Sequence, residues 1–250
     1  MITMDFNQIV PSHPTWLHTQ IILLGQVGSH AYGTATTNSD LDFKGVCIPP
    51  AEYFMGLQSF EGYDKMGGKN FKNQAGDIDV TIIHINKFVR DATAGVPNNL
   101  ELLFLDQSDY LHVDQFGQEL IGMREQFLSK RIMKKYGGYA KSQAQKLKQR
   151  TLTGLPHGYD TKLYMHTVRL LEMAIEILNE RTLTVKRHDA AHLLSLREGA
   201  HTRDEAFSHI ADLEIRLNQA FEQSILPENP NIEVINNWLV DFNMRHIQSR

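Results

Sequence analysis

Apolar and polar positions divide this chain into two parts of different texture. In the first part, His18-Thr-Gln-Ile-Ile-Leu-Leu-Gly25 is a short apolar run ending in glycine, which predicts a strand. Asp40-Leu-Asp-Phe-Lys-Gly-Val-Cys-Ile48 alternates polar and apolar residues until Pro49-Pro50 stops it. Asp77-Ile-Asp-Val-Thr-Ile-Ile-His-Ile85 alternates in the same way. A period of two sends Asp77, Asp79 and Thr81 to one face and Ile78, Val80 and Ile82 to the other. Between the first two runs, Gly28 to Thr34 is small and turn-prone and suits the opening of a short helix. Thr36 to Ser39 is a polar turn. Lys65 to Gly76, rich in Gly, Lys and Asn, predicts a mobile loop. Asn86 to Ala94 and Asn98 to Leu105 predict helices, with Pro97 between them.

After about residue 114 strand-like runs almost vanish, and helical periodicity dominates at 116–150, 160–180, 188–198, 203–225 and 231–246. After Asp160, the residues Leu163, Val168, Leu170, Leu171, Ala174, Ile175 and Leu178 form a broad apolar stripe. Pro227 and Pro230 mark the last break. No internal repeat is visible. The pattern predicts an α/β (α+β) chain, with a small α/β module over 1–115 and an all-helical half over 116–250.

Composition narrows the class. Hydrophobic residues make up 42% and charged residues 22%, which excludes disorder or a collagen-like repeat as a description of the whole. No apolar run approaches the ~20 residues of a membrane span. The N-terminal Met1-Ile-Thr-Met-Asp-Phe-Asn7 has neither a basic region nor an apolar signal core. Cys47 stands alone, so neither an internal disulfide nor a cysteine zinc site is expected. A cytoplasmic setting without a membrane partner is the expectation. The net charge of −4 is unevenly spread. From Gln126 to Tyr159 there is no acidic residue, while Lys130, Arg131, Lys134, Lys135, Lys141, Lys146, Lys148 and Arg150 put +8 into 34 residues. A block of one sign is a footprint for a polyanion or a solvated lysine face. Tyr136 and Tyr139 are interleaved with these lysines, as a base-stacking surface requires.

The candidate chemistry lies in Gly28-Ser29, Ser39-Asp40-Leu41-Asp42 and the strand with Asp77 and Asp79. Asp-x-Asp on a strand points two carboxylates to one face, about 7 Å apart along the chain. Magnesium takes hard oxygen ligands and leaves room for substrate phosphates. A third carboxylate on a neighbouring strand completes what a two-metal phosphoryl transfer needs. Glycine lets the backbone approach a phosphate, and a serine hydroxyl with adjacent N–H groups can donate to it. Lys162, His166 and Arg169 fall at i, i+4 and i+7, so one helical face carries all three. That face is read as a basic comb over phosphates or as a salt-bridged surface, with Asp160 as a cap. Tyr32 is read equally as a base-stacking ring or a core residue. His30, His84 and His188 lack metal-ligand spacing and receive no role. Asp204, Glu205, Glu172 and Glu176 are expected on solvated helix surface.

Gly-Ser, then Ser-Asp-x-Asp ten residues on, then a strand-borne aspartate about forty residues further resembles the nucleotidyltransferase superfamily named after DNA polymerase β. More narrowly, Gly28-Ser-His-Ala-Tyr-Gly-Thr34 with Ser39-Asp-Leu-Asp-Phe-Lys-Gly-Val46 and Pro49-Pro50 resembles the nucleotidyltransferases found beside RNA-repair ligases. Asp79-Val-Thr-Ile-Ile-His-Ile-Asn-Lys87-Phe88 and Pro97-Asn98-Asn-Leu-Glu101-Leu-Leu103 are similar to its third-carboxylate strand and following helices. Gly158-Tyr-Asp160-Thr-Lys162-Leu-Tyr-Met-His166-Thr-Val-Arg169-Leu-Leu171 and Arg197-Glu-Gly199 are similar to its helical second half. These matches span about residues 22–205.

The resemblance implies a small mixed sheet flanked by helices, and a metal-dependent transfer of a nucleoside monophosphate from a nucleoside triphosphate such as ATP to an acceptor hydroxyl. Asp40, Asp42 and Asp79 are then the catalytic carboxylates, binding two Mg2+ ions or Mn2+ in their place. Asp79 is preferred to Asp77 for its distance to Lys87-Phe88. Gly28, Ser29, Ser39, Lys162, His166 and Arg169 are the implied nucleotide-binding residues. RNA is the expected acceptor, guided by the basic 130–150 segment. Nucleotidylation of a protein side chain, or a fold that binds nucleotide or RNA without turnover, are the alternatives.

Overall fold

The computed structural model describes residues 6–65, 77–149 and 155–248. Five strands form one sheet: β1 (Ile21–Val27), β2 (Leu41–Cys47), β3 (Gly62–Lys65), β4 (Ile78–His84) and β5 (Tyr110–Val113). Their order is β3-β4-β2-β1-β5. β2 and β4 run parallel, and the other pairs are antiparallel, so the sheet is mixed. The helices of the first part are α1 (Phe6–Ile9), α2 (Leu17–Gln20), α3 (Gly28–Tyr32), α4 (Glu52–Met55), α5 (Ile85–Thr93) and α6 (Pro97–Leu103). Those that follow are α7 (Gln115–Gly122), α8 (Gly138–Gln149), α9 (Thr161–Glu180), α10 (Ala190–Arg197), α11 (Arg203–Gln223) and α12 (Ile232–Gln248).

The central strands are apolar because both faces of the sheet are covered. One face of β2 and β4 presents Leu41, Phe43, Cys47, Val80 and Ile82, packed with Ile9, Val10 and Leu17 in the smaller of two cores. The opposite face starts with Asp42 and Lys44 and, two residues further, reaches Val46 in the larger core. That core continues without a break through α9 and α11 to Phe242 of α12. The same face is thus polar at one end of the strand and sealed under the helices at the other.

Helix α9 supplies the roof. Asp160 caps it by accepting from the Leu163 N–H at 2.9 Å, as its position before the apolar stripe predicts. Leu171, Ala174 and Leu178 are buried beneath it, while Lys162 at its first turn is exposed. No helix among the described residues is long and apolar enough to cross a membrane.

Four expectations need correction or limit. The helical periodicity read over 116–150 is not one continuous helix: α7 ends at Gly122, Arg124–Phe127 forms a 3-10 turn, and a π-turn at Met133–Gly137 leads into α8. Tyr136 is fully buried under that turn, so it packs in the core and cannot stack on a base. Glu172 and Glu176 are not solvated: Glu176 pairs with Arg187 at 2.6 Å, and Glu172 sits half-buried beside Asp189. The loop read at 65–76 falls, past Lys65, outside the described residues, as does Arg150.

Candidate active site

Strand register assembles the carboxylates. Val27 of β1 is opposite Asp42, and Asp42 is opposite Asp79. Three strands therefore bring the Gly28 turn, Asp42 and Asp79 into one row. Asp40 stands just before β2, held there by a turn in which the Thr36 N–H donates to Ser39 Oγ at 2.9 Å and the Ser39 N–H to the Thr36 carbonyl at 3.0 Å. Asp40, Asp42 and Asp79 each place a carboxylate oxygen within 4.8 Å of the other two. All three are half-buried. Asp77 is outside this group; its carbonyl accepts from the Leu41 N–H at 2.8 Å.

The convergence has an electrostatic cost. Burial first, then the charges of Asp40 and Asp79, push the Asp42 carboxyl up to about 6, against the pull of Lys162. Gly28 makes room for this arrangement: its φ is +68°, and a side chain there would strike the Asp42 carboxylate.

Two cavities meet at Asp42. The first, about 250 Å3, is lined by Ser29, Ser39, Asp40, Lys162, His166 and Arg197 together with Gly28, Tyr32, Asp42 and Arg169. Every residue expected to bind nucleotide therefore lines this one cavity. Within it, Ser29 Oγ and Arg169 Nε are buried without a hydrogen-bond partner. The second cavity, about 230 Å3, shares Gly28, Tyr32 and Asp42 with the first and adds Lys44, Asp79, Thr81, Asn98 and Glu101.

The comb on α9 is less uniform than its spacing suggests. Lys162 is exposed. Burial first, then Arg169, Lys162 and Arg197, push the His166 imidazole down to about 3, so it is neutral at pH 7. Arg169 is only 6% exposed and pairs with Glu101 at 3.3 Å. Its guanidinium lies 3.7 Å from the centroid of the Tyr32 ring. The Tyr32 hydroxyl donates to the other Glu101 oxygen at 2.5 Å. Tyr32 is thus a core residue, and Glu101 ties α9 to α3 and α6.

Sequence reasoning gave no role to Arg197, Lys44 or Glu101. Lys44 had a signal: alternation puts Asp40, Asp42 and Lys44 on one face of β2. It is 8% exposed, and burial lowers its ammonium to about 8 against the pull of Glu101 and Asp91. Glu101 had a weaker one, as the single charge in the apolar run Leu100-Glu-Leu-Leu-Phe104.

The model of RlaP, the RNA repair pathway DNA polymerase beta family, matches residues 1–241. The chain belongs to this family. An uncharacterized 38.9 kDa protein from the nrdC-mobD intergenic region of Enterobacteria phage T4 is 33% identical to it over 125 residues. That alignment covers 48% of this chain and 36% of the phage protein, so it spans about a third of that relative's length. A nucleotidyltransferase-like protein from Exiguobacterium sibiricum aligns over 84% of this chain and 70% of its own, at 11% identity and a TM-score of 0.31. Its Asp40, Asp42 and Asp79 form an acidic triad that could hold metal.

Proposed function

We propose that this member of the RNA repair pathway family transfers a nucleoside monophosphate from a nucleoside triphosphate such as ATP to an RNA hydroxyl, in the cytoplasm. The observation that carries the reading is the junction at Asp42. A cavity with the cations Lys162, Arg169 and Arg197 opens on one side of it, and Asp79 stands on the other.

The donor set fits divalent cations. Three carboxylates converge within 4.8 Å, and their mutual repulsion is what a hard dication relieves. Asp40 and Asp42 would hold two magnesium ions, or manganese in their place, with Asp79 on the ion nearer the acceptor. Bound there, the ions would neutralise charge developing on the transferred phosphoryl group.

The remaining work belongs to the chain's own side chains. Ser29, Ser39 and the Gly28 backbone donate to the triphosphate oxygens. Lys162 and Arg197 supply positive charge, and the neutral His166 a hydrogen bond. Arg169, anchored by Glu101 and Tyr32, adds a fixed positive charge to the wall of the same cavity. The acceptor oxygen attacks the α-phosphorus, the bond to the β-phosphate bridge breaks, and pyrophosphate leaves. Asp79 accepts the acceptor's proton. Most of the rate enhancement comes from positioning and fixed charge. The exposed lysines of 130–149 draw in the RNA.

Incubation with each α-labelled nucleoside triphosphate, magnesium and total cellular RNA tests this reading. Label in RNA is the expected result. Label in protein would support side-chain nucleotidylation, and no label anywhere would support a binding protein without turnover.

A further inference from the structure

Lys44 is the feature of the site that a donor-binding and metal-binding account leaves unused. Its side chain is 8% exposed and lines the second cavity. Among the described residues, no hydrogen-bond or ion-pair partner meets its ammonium. The carboxylate whose field it feels most, Glu101, is already engaged by the Tyr32 hydroxyl and Arg169. A largely buried lysine with no protein partner for its ammonium is costly to keep, and a methionine or leucine would fill the same position at lower cost. What compensates an ammonium in such a place is an anion from outside the chain.

The geometry also says which side of the reaction that anion belongs to. Asp40 lines only the cavity with Ser29, Lys162 and Arg197. Asp79 lines only the cavity with Lys44, Thr81 and Asn98. Asp42 lines both. The triphosphate has its own cations on the first side, so Lys44 is left for the acceptor. At about 230 Å3 the second cavity is close in size to the first, at about 250 Å3, and neither encloses a whole nucleotide. The second suits a sugar and one phosphate, with the base outside. Lys44 is two residues along β2 from Asp42, so an anion bound there lies one backbone step from the reacting hydroxyl.

We propose that the Asp79 cavity seats the last nucleotide of a polynucleotide acceptor, with Lys44 binding the phosphodiester that precedes the attacking hydroxyl. Thr81 and Asn98 face the sugar. This rests on the nucleotidyl-transfer reading above and names its acceptor by chemistry: a serine, threonine or tyrosine hydroxyl brings no anion to Lys44.

The test uses the full chain, magnesium, labelled nucleoside triphosphate and two oligoribonucleotides. They differ only at the terminal internucleotide linkage, a phosphodiester in one and an uncharged methylphosphonate in the other. The wild type should prefer the phosphodiester by about tenfold or more in kcat/KM, as loss of a charge-assisted contact implies. Lys44→Met should use both acceptors equally poorly, with an unchanged KM for the triphosphate. It should also unfold at an equal or higher temperature, which a structural lysine would not allow. A wild type that does not discriminate between the linkages overturns the proposal without recourse to any variant. So does a Lys44→Met protein that still discriminates. Either result leaves the transfer reading standing if RNA is labelled; absence of any RNA labelling defeats that reading and the proposal with it.

Discussion

The carboxylate row and the lysine-rich segment are two charge clusters built in opposite ways. Strand register brings Asp40, Asp42 and Asp79 together half-buried, against their own repulsion. The lysines of 130–149 lie along a helical path where Lys134, Lys141, Lys146 and Lys148 all reach solvent. Two are tethered locally: Lys130 pairs with Glu228 at 3.0 Å, and Lys148 lies 5.8 Å from the Phe207 ring centroid. Charge that is cheap to keep says little about function. Charge held together at a cost says more, because only a ligand of opposite sign repays it.

The largest expected effect falls on the carboxylate side. Asp42→Asn should lower transfer by about a thousandfold, since it removes a ligand whose loss weakens transition-state stabilisation by several kcal/mol. Its unfolding midpoint should hold or rise, because the repulsion is relieved. Activity within tenfold of wild type would break the comparison. Asp79→Ala should be far more damaging than Asp77→Ala, and the reverse ranking would put the third carboxylate at the wrong position.

A second contrast lies within the basic segment. Tyr136→Ala removes a fully buried ring and should cost ~3–5 kcal/mol of stability, whereas the half-exposed Tyr139 should tolerate alanine within ~0.5 kcal/mol. Urea titration of both variants reads this directly, and equal losses would misplace Tyr136.

Protonation supplies a third. His84 caps α5 by accepting from the Asn86 N–H at 3.0 Å, which requires a neutral ring. Burial first, then Arg90, lowers it to about 4, and His166 lies near 3. An unfolded histidine titrates near ~6.5. Below that pH the unfolded chain takes protons that the folded chain refuses, so stability is full above ~6.5 and falls towards 4. The raised Asp42 carboxyl opposes this over the same range, so the readout is the difference between proteins: from pH 7 to pH 5 the denaturant midpoint of His84→Asn should fall less than that of wild type.

The smallest effect is expected on the lysine side. Replacing Lys134, Lys135, Lys141 and Lys146 with glutamine should leave stability and triphosphate binding almost unchanged. RNA affinity should weaken and its salt dependence flatten, since fewer counterions are released. Superimposable salt curves for variant and wild type would remove the segment from the acceptor path.

Much of this was legible in the sequence, and the family resemblance carried by the Gly28-Ser29 and Asp40-Asp42 motifs is borne out. β1, β2 and β4 announce themselves through apolar runs and alternation because they are central and covered. β3 and β5 do not. Gly62-Tyr-Asp-Lys65 is mostly exposed and extended through its pairing with β4, and Tyr110–Val113 is half-buried along its whole length. The break near Leu128–Lys130 escaped because no proline or glycine marks it in the sequence. Glu101, Arg169 and Tyr32 meet across 68 and 69 residues of sequence. Each looks ordinary alone, and their partnership is a property of the fold.

The proposed chemistry requires Asp40, Asp42 and Asp79 to form one divalent-cation site beside the triphosphate cavity. Electron paramagnetic resonance of Mn2+, titrated into the full chain with ATP present, measures this without reference to any acceptor. The wild type should take up Mn2+, and Asp42→Asn and Asp79→Asn should each bind it at least ~10-fold more weakly while remaining folded. Equal Mn2+ binding by all three proteins would contradict the account.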